Sequence, residues 1–410
     1  VDEQAVMIHK FSNGMTLVAE SIKEVASGAF VFLLPGGAAH DPQKHSGSGT
    51  VLSELVFRGA GAMDNRALND RLDGLGLQRN NQVLSLHSSL SGGLVADNLL
   101  ETLKIYADII RKPILAPDQF EACRQLSLQA LESLEDDPRH KLSLLVHEKF
   151  LPYPFGRPSP GKKDQLQTLD VDVVKKHWAD CFSPQKTILA VAGKIDFDRL
   201  KKAVEENFGS WQGREIAELP EGKCQSQFYH QPNEGAQVHI GLMYPSVNVL
   251  HKDYYKALAA VGVLSGGMGS RLFAEVREKR GLCYAVGANH RIIGKFGAVQ
   301  CYVGSSPDKA QEALDVMIAE LVKLADGITQ DELDRAKVGL RASLIMQGES
   351  TSARAAACAG DYYHLGRVRS LEEIEQKIVS LTVDDVVDFA REHKAENFTV
   401  ATIGPKELKI

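Results

Sequence analysis

The strongest constraint on this chain is that it runs through the same ending twice. Leu169 to Gly193, "LDVDVVKKHWADCFSPQKTILAVAG", reads as an amphipathic helix, a turn and a buried strand stopped by glycine. Leu381 to Gly404, "LTVDDVVDFAREHKAENFTVATIG", repeats that plan about 212 residues later. A second pair lies upstream: Ile114–Ser133 matches Ile328–Gln347 at nearly the same offset. Each member opens on a Pro-Asp or Thr step that starts a helix, then carries apolar residues at helical spacing. Agreement on one offset at two places makes chance a poor account. The sequence is therefore a tandem of two homologous domains, 1–209 and 224–410, with a polar connector at 210–223, "SWQGREIAELPEGK".

Each half mixes strands and helices. "MIHKFSNGMTLVAE" places Asn13-Gly14 between two alternating apolar runs, the strongest short hairpin signal. "GAFVFLLPGG" reads as a buried strand, and "GKFGAVQCYVG" (Gly294–Gly304) is its kind in the second half. Helical runs follow, at Ala96–Pro113 and Ser306–Gly327. Strands in runs followed by helices in runs predict an α+β fold, with helices packed on one face of a largely antiparallel sheet in each domain.

The 410 residues are 44% hydrophobic and 24% charged, a balance that can bury a large core. A net charge of −6 offers no basic footprint for nucleic acid. No apolar run reaches the roughly 18 residues that a membrane span needs. The chain begins at Val1 without Met or a charged-then-apolar leader, which leaves a cytoplasmic and a periplasmic setting both open. The six cysteines stand singly, with no C-x-x-C pair, and read as small buried hydrophobes. His140 and His147, two helical turns apart, have no third ligand beside them and read as packing or solvated residues. Neither G-x-S-x-G nor G-x-G-x-x-G occurs, so neither a serine-hydrolase elbow nor a dinucleotide site is inferred.

Four stretches together resemble the pitrilysin/insulinase family of metallopeptidases, and within it the two-domain subunits of the mitochondrial-processing-peptidase branch. They are "FSNGMTLV", "FRGAG", "DDPRHKLSLLVHEKFLPYPFGRPSPG" (Asp136–Gly161) and "GGMGSRLFAEVREKRGLCYAVGA" (Gly266–Ala288). The resemblance implies a duplicated α+β unit, dimers that enclose a chamber, and peptide hydrolysis on zinc. The family's zinc motif is H-x-x-E-H on a helix just before F-(K/R)-G. In register with Phe57-Arg58-Gly59, its three positions fall on Thr50, Ser53 and Glu54, and the third ligand falls on Ala130, with Glu132 a near miss. Two imidazoles and a general base are thus missing, and no metal is expected in this chain. Ser48 or Thr50 is expected to cap that helix, with Val51, Leu52, Leu55 and Val56 burying its face.

In the second half the resemblance points to Arg277 and Tyr284, which fall where the family's second domain sends an Arg and a Tyr toward the scissile peptide. Taken alone, an Arg in a last helical turn and a Tyr beginning a strand are also ordinary packing. Gly266, Gly267 and Gly269 match a glycine-rich segment that non-catalytic subunits use near substrate, or else simply loosen a helix start. The reading that follows is a metal-less subunit that pairs with a sister chain carrying H-x-x-E-H and zinc, or with itself, and binds peptide. A non-catalytic structural or peptide-binding homologue is the alternative.

Overall fold

The computed structural model describes residues 5–409. Contacts divide them into two compact units. Unit 1 takes the residues through Ser133, then Arg157–Pro220 and Gln347–Ser370; unit 2 takes Leu134–Gly156, Glu221–Met346 and Leu371 onward.

Unit 1 is built on strands β1 (Ala5–Lys10), β2 (Thr16–Ser21), β3 (Ser27–Pro35), β6 (Gln78–Val83), β7 (His87–Val95) and β8 (Ile188–Gly193), with β4 (Gly59–Ala60) and β5 (Met63–Asp64) forming a separate short ladder. The sheet order is β1-β2-β8-β3-β7-β6, antiparallel except for β2 beside β8. Asn13-Gly14 makes the predicted hairpin, with Lys10 opposite Thr16 and Gly14 at φ 93°. Along β3, Phe30, Phe32 and Leu34 enter the main core while Ala29, Val31 and Leu33 face the other way, and all six are buried. Burial of alternate residues on both faces means both faces are covered.

The main core lies under the helices Ser48–Leu55, Asn65–Gly74, Leu99–Arg111, Val171–Cys181 and Phe197–Phe208. The opposite face is closed by one helix, Thr351–Leu365, through Ala355, Cys358 and Ala359. That helix carries Arg354, 1% exposed, whose Nε and Nη2 donate to the carboxylate of Glu20 on β2, with Nη2···Oε2 at 2.7 Å.

Unit 2 repeats the plan with β9 (Phe228–Pro232), β10 (Val238–Ser246), β11 (Ala285–Ile293), β12 (Phe296–Ser305) and β13 (Thr399–Gly404), ordered β11-β12-β10-β13-β9, with β13 and β9 parallel and the other neighbours antiparallel. Strands β2, β3, β6, β7 and β8 of unit 1 correspond in chain order and in sheet position to β9 through β13. The duplication is therefore topological as well as sequential. One face is covered by the helices Tyr254–Ser265, Ala310–Lys323 and Val383–Glu392. The other takes the helix Pro138–Phe150: Leu142 packs over Gly241, Ser143 accepts a hydrogen bond from Gln300, and Arg139 lies over the Tyr302 ring.

The fold class is the expected one, two homologous α+β units. The contiguous cut at 209 and 224 does not describe their compactness, because each unit takes one sheet-covering helix from the other half of the chain. The long segments of the two units change over at Pro220–Glu221. Among the described residues all six cysteines are free; Cys123, Cys181, Cys301 and Cys358 are buried and Cys224 and Cys283 half-buried.

Candidate functional site

The helix that holds the zinc-motif positions spans Ser48–Leu55, and its inner face is as expected: Val51, Leu52, Leu55 and Val56 are all fully buried. Its cap is not. The N-cap residue is Gly47, in the left-handed region at φ 96°, and neither Ser48 nor Thr50 serves. The free N–H groups of Gly47 and Gly49 donate instead to the two carboxylate oxygens of the buried Asp41, at 2.7 and 2.8 Å. A local hydroxyl was the obvious candidate, but a carboxylate six residues back satisfies two donors and complements the positive helix end. Burial pushes Asp41 up to about 6 despite those bonds and the nearby Arg157. His177 stands 3.6 Å from Asp41 and is held down to about 4, chiefly by burial.

The polar groups at the motif positions are turned onto the protein itself. Thr50 Oγ1 donates to the Ser159 carbonyl and Ser53 Oγ to the Thr50 carbonyl. Glu54 accepts from Asn81 Nδ2 at 3.0 Å, and the same amide reaches the Ser53 carbonyl at 3.2 Å. On the helix Pro117–Ser133, Cys123, Ser127 and Ala130 share one stripe by their i, i+4, i+7 spacing, and Ala130 brings only a methyl group to it. Glu132 lies off that stripe and pairs with Lys163 at 2.9 Å, which removes the near miss. Two committed hydroxyls, one carboxylate and a methyl group do not fit a zinc ion. Beside Glu54 opens a polar cavity of about 400 Å³ whose wall includes Arg58, Asn65, Arg66, Arg79 and Asn81. Its chemistry suits carboxylates and peptide carbonyls, not a metal.

In unit 2, Arg277 and Tyr284 are brought together. The segment Phe273–Glu278 is wound as a π-helix, with Lys279 N–H bonding to the Ala274 carbonyl, a winding that recurs at functional sites. It stops at Gly281, φ 58°, where Gly281 N–H bonds to the Arg277 carbonyl and Leu282 N–H to that of Val276. The turn places Tyr284 just before β11, its N–H on the Gly304 carbonyl. The Arg277 guanidinium then lies 4.9 Å from the Phe273 ring centre and 5.5 Å from that of Tyr284. Neighbouring Lys279 and Arg280 are both neutralised by Glu275, whereas Arg277 has no ion-pair partner among the described residues. The Tyr284 side chain is 77% exposed. A cation packed against two rings and an exposed phenol stand side by side, neither with a polar side-chain partner among the described residues.

The glycine segment follows the helix Tyr254–Ser265 as an exposed loop. Gly267, at φ 150°, is required by the turn, and Ser270 closes it on the Gly267 carbonyl at 2.6 Å. A shallow depression of about 60 Å³ runs along Gly266, Gly267 and Gly269 to Arg335. Ser265 Oγ accepts the Ala288 N–H of β11 at 2.8 Å, which fixes the loop's base four residues beyond Tyr284.

Residues 168–340, a span that contains the glycine loop, Arg277 and Tyr284, match the description "Peptidase M16 inactive domain". The chain is 26% identical over 414 residues to an uncharacterised zinc protease of Rickettsia felis, covering 98% of both, and 25% identical over 404 residues to one of Bacillus subtilis, covering 97% and 98%. The chain is thus similar to the peptidase M16 family, the pitrilysin/insulinase group, over residues 168–340 and to zinc proteases over nearly its whole length. Its fold is that of a protease from Helicobacter pylori (TM-score 0.89, 21% identity, 98% and 100% covered) and of a peptidase M16 inactive domain from Pseudomonas fluorescens (TM-score 0.87, 20% identity, 99% of each covered). Sequence reasoning missed Asp41 and Asn81, which fix the helix Ser48–Leu55. The signal for Asp41 was present as an acid just ahead of a Gly-Ser-Gly helix start.

Proposed function

We propose that this chain is the metal-less subunit of a heterodimeric zinc protease, acting with a sister chain that carries H-x-x-E-H. The observation that carries the reading is the Arg277–Tyr284 pair: a guanidinium without a counter-ion and an exposed phenol, on rigid elements, at the positions the family uses toward the scissile peptide. The names of the curated relatives, zinc proteases, support the reaction class. In this reading the sister chain supplies the metal and the base. Arg277 and Tyr284 donate hydrogen bonds to the scissile carbonyl oxygen as it gains charge, and the exposed loop at Gly266, Gly267 and Gly269 lets the substrate backbone approach. Without the sister the chain is inactive and pairs with itself.

The test is hydrolysis by the reconstituted heterodimer. Arg277→Ala and Tyr284→Phe leave folding and pairing intact and each lowers peptide turnover by roughly a hundredfold, the scale for deleting one oxyanion donor. The loss falls in kcat if the contact strengthens in the transition state, and in KM if it positions the ground state. Wild-type rates in both variants would make the chain a structural or peptide-binding homologue.

A further inference from the structure

Within unit 2, away from Arg277 and Tyr284, three side chains from two distant stretches meet at the joint of two helices. Asp253 is the N-cap residue of the helix Tyr254–Ser265, and His393 is the C-cap residue of the helix Val383–Glu392. His251 lies two residues before Asp253. One donor atom from each of the three lies within 4.8 Å of the others.

We propose that His251, Asp253 and His393 form a binding site for a divalent transition metal of the zinc class, which staples the two helix ends together. The decisive feature is Asp253. Its side chain is 6% exposed, one oxygen is held by Lys256 at 3.2 Å, and the other, Oδ2, is buried without a hydrogen-bond donor among the described residues. That orphaned oxygen faces His251 Nδ1 at 3.6 Å. Nδ1 is itself the acceptor of a long 3.2 Å bond from the Asp253 N–H, so it has no proton to offer Oδ2. A metal ion that takes the Nδ1 lone pair in place of this long bond supplies the positive partner that Oδ2 lacks.

The spacing suits one. Metal bonds of about 2.0–2.2 Å at the tetrahedral angle put ligand atoms about 3.3–3.5 Å apart, and put the centres of two ligating imidazoles about 5.2 Å apart. The oxygen–nitrogen pair is at 3.6 Å, and the His251 and His393 rings are 5.3 Å apart and nearly perpendicular. Closing the widest separation needs about an ångström of movement from the histidines, of which His251 is 39% exposed. Two imidazoles and one carboxylate are a borderline donor set that zinc, nickel, cobalt or copper accept and magnesium or calcium do not. Lys256 bridges Asp253 to Asp385, which fixes the carboxylate from outside. His251 and His393 also line a cavity of about 420 Å³ with Asn248, Glu392, Lys394 and Glu396, where Lys295 is paired with Glu221.

The experiment titrates the untagged, metal-stripped full chain with Co²⁺, read by its tetrahedral visible bands, and with Zn²⁺, read by calorimetry and melting temperature. One equivalent is expected to bind and to raise the melting temperature by about 3 °C or more. His251→Ala and His393→Ala each weaken binding by roughly a hundredfold or more, beyond the ~10–100-fold typical of outer-shell changes. Glu54→Ala, at the old motif helix, and His230→Ala, on β9, leave it unchanged. If His393→Ala loses its fold by circular dichroism, His251→Ala, on a part-exposed loop residue, carries the comparison. Absence of the cobalt bands, or binding that survives both histidine substitutions, or binding lost equally in Glu54→Ala, overturns the site.

Discussion

Unit 1 turns the polar side chains of the helix Ser48–Leu55 onto the protein itself; unit 2, built on the same strand plan, leaves Arg277 and Tyr284 facing out. In unit 1 the covering helix is fastened by the buried Arg354–Glu20 pair, Asp41 is spent on two backbone N–H groups, and the hydroxyls of Thr50 and Ser53 are bound to carbonyls. In unit 2 the polar contacts of the covering helix come from half-buried Ser143 and exposed Arg139, while Arg277 and Tyr284 remain without polar side-chain partners among the described residues. Duplication permits this division. Under the proposed function one copy supplies the groups that meet substrate, and the other is free to turn its own inward.

The comparison breaks most readily at Arg354. Truncation to Ala strands Glu20 in the sheet face, and a broken buried pair costs about 3–5 kcal/mol. Ser143→Ala, at the corresponding helix of unit 2, removes one half-buried hydrogen bond and costs about 1 kcal/mol or less. Urea denaturation of both variants measures the contrast; equal losses would refute it.

Acid sharpens the same contrast. Burial holds His40, His87 and His177 of unit 1 near 4, against one such histidine, His147, in unit 2. Their folded values lie below the unfolded value of 6.5, so the unfolded chain binds more protons between pH 6.5 and 4, and their stabilisation is lost as pH falls through that window. Asp41 works against them, since its folded value near 6 exceeds its ordinary 3.8 and the native state takes up that proton first. His364 of unit 1 and His239 and His290 of unit 2 are lowered by burial too, so the asymmetry rests on the large shifts: three in unit 1, opposed by Asp41, against one in unit 2. Both tryptophans, Trp178 and Trp211, lie in unit 1, so from pH 7 to 5 the urea midpoint seen by tryptophan fluorescence should drop further than that seen by circular dichroism. Parallel shifts would remove the asymmetry.

The smallest effect belongs to the old motif helix. Thr50→Ala and Ser53→Ala should each change stability by about 1 kcal/mol or less, and turnover in the reconstituted heterodimer within twofold or so, because each hydroxyl serves one carbonyl that retains its helical or solvent partner. A larger loss of turnover would mean that this helix meets substrate.

Much of this was readable in the chain and some was not, for physical reasons. Repeated endings at one offset disclosed the duplication, because a strand buried on both faces and its capped helix demand the same residue types wherever they recur. The swapped helices were hidden. "TSARAAACAGDYYHL" has an apolar stripe that would suit either sheet, and nothing local to Arg354 names Glu20, 334 residues away, as its partner. Family register located Arg277 and Tyr284 but said nothing of Phe273, whose ring completes the cradle. The caps were misjudged at Ser48 and Thr50 because side-chain capping was sought next to the helix, while Asp41 reaches it across a loop. His251 and Asp253 are neighbours in sequence, but the third member of their cluster arrives from a helix end near the C-terminus.

The helix exchange also bears on how the chain is made. As synthesis proceeds from the N-terminus, residues through Pro220 emerge with one face of their sheet bare and Glu20 without its cation, while Pro138–Phe150 waits for a sheet not yet translated. Neither half can finish before Leu365 has left the ribosome. The protein must therefore mature as one late event, and a half-length fragment would be a substrate for chaperones and proteases, not a domain.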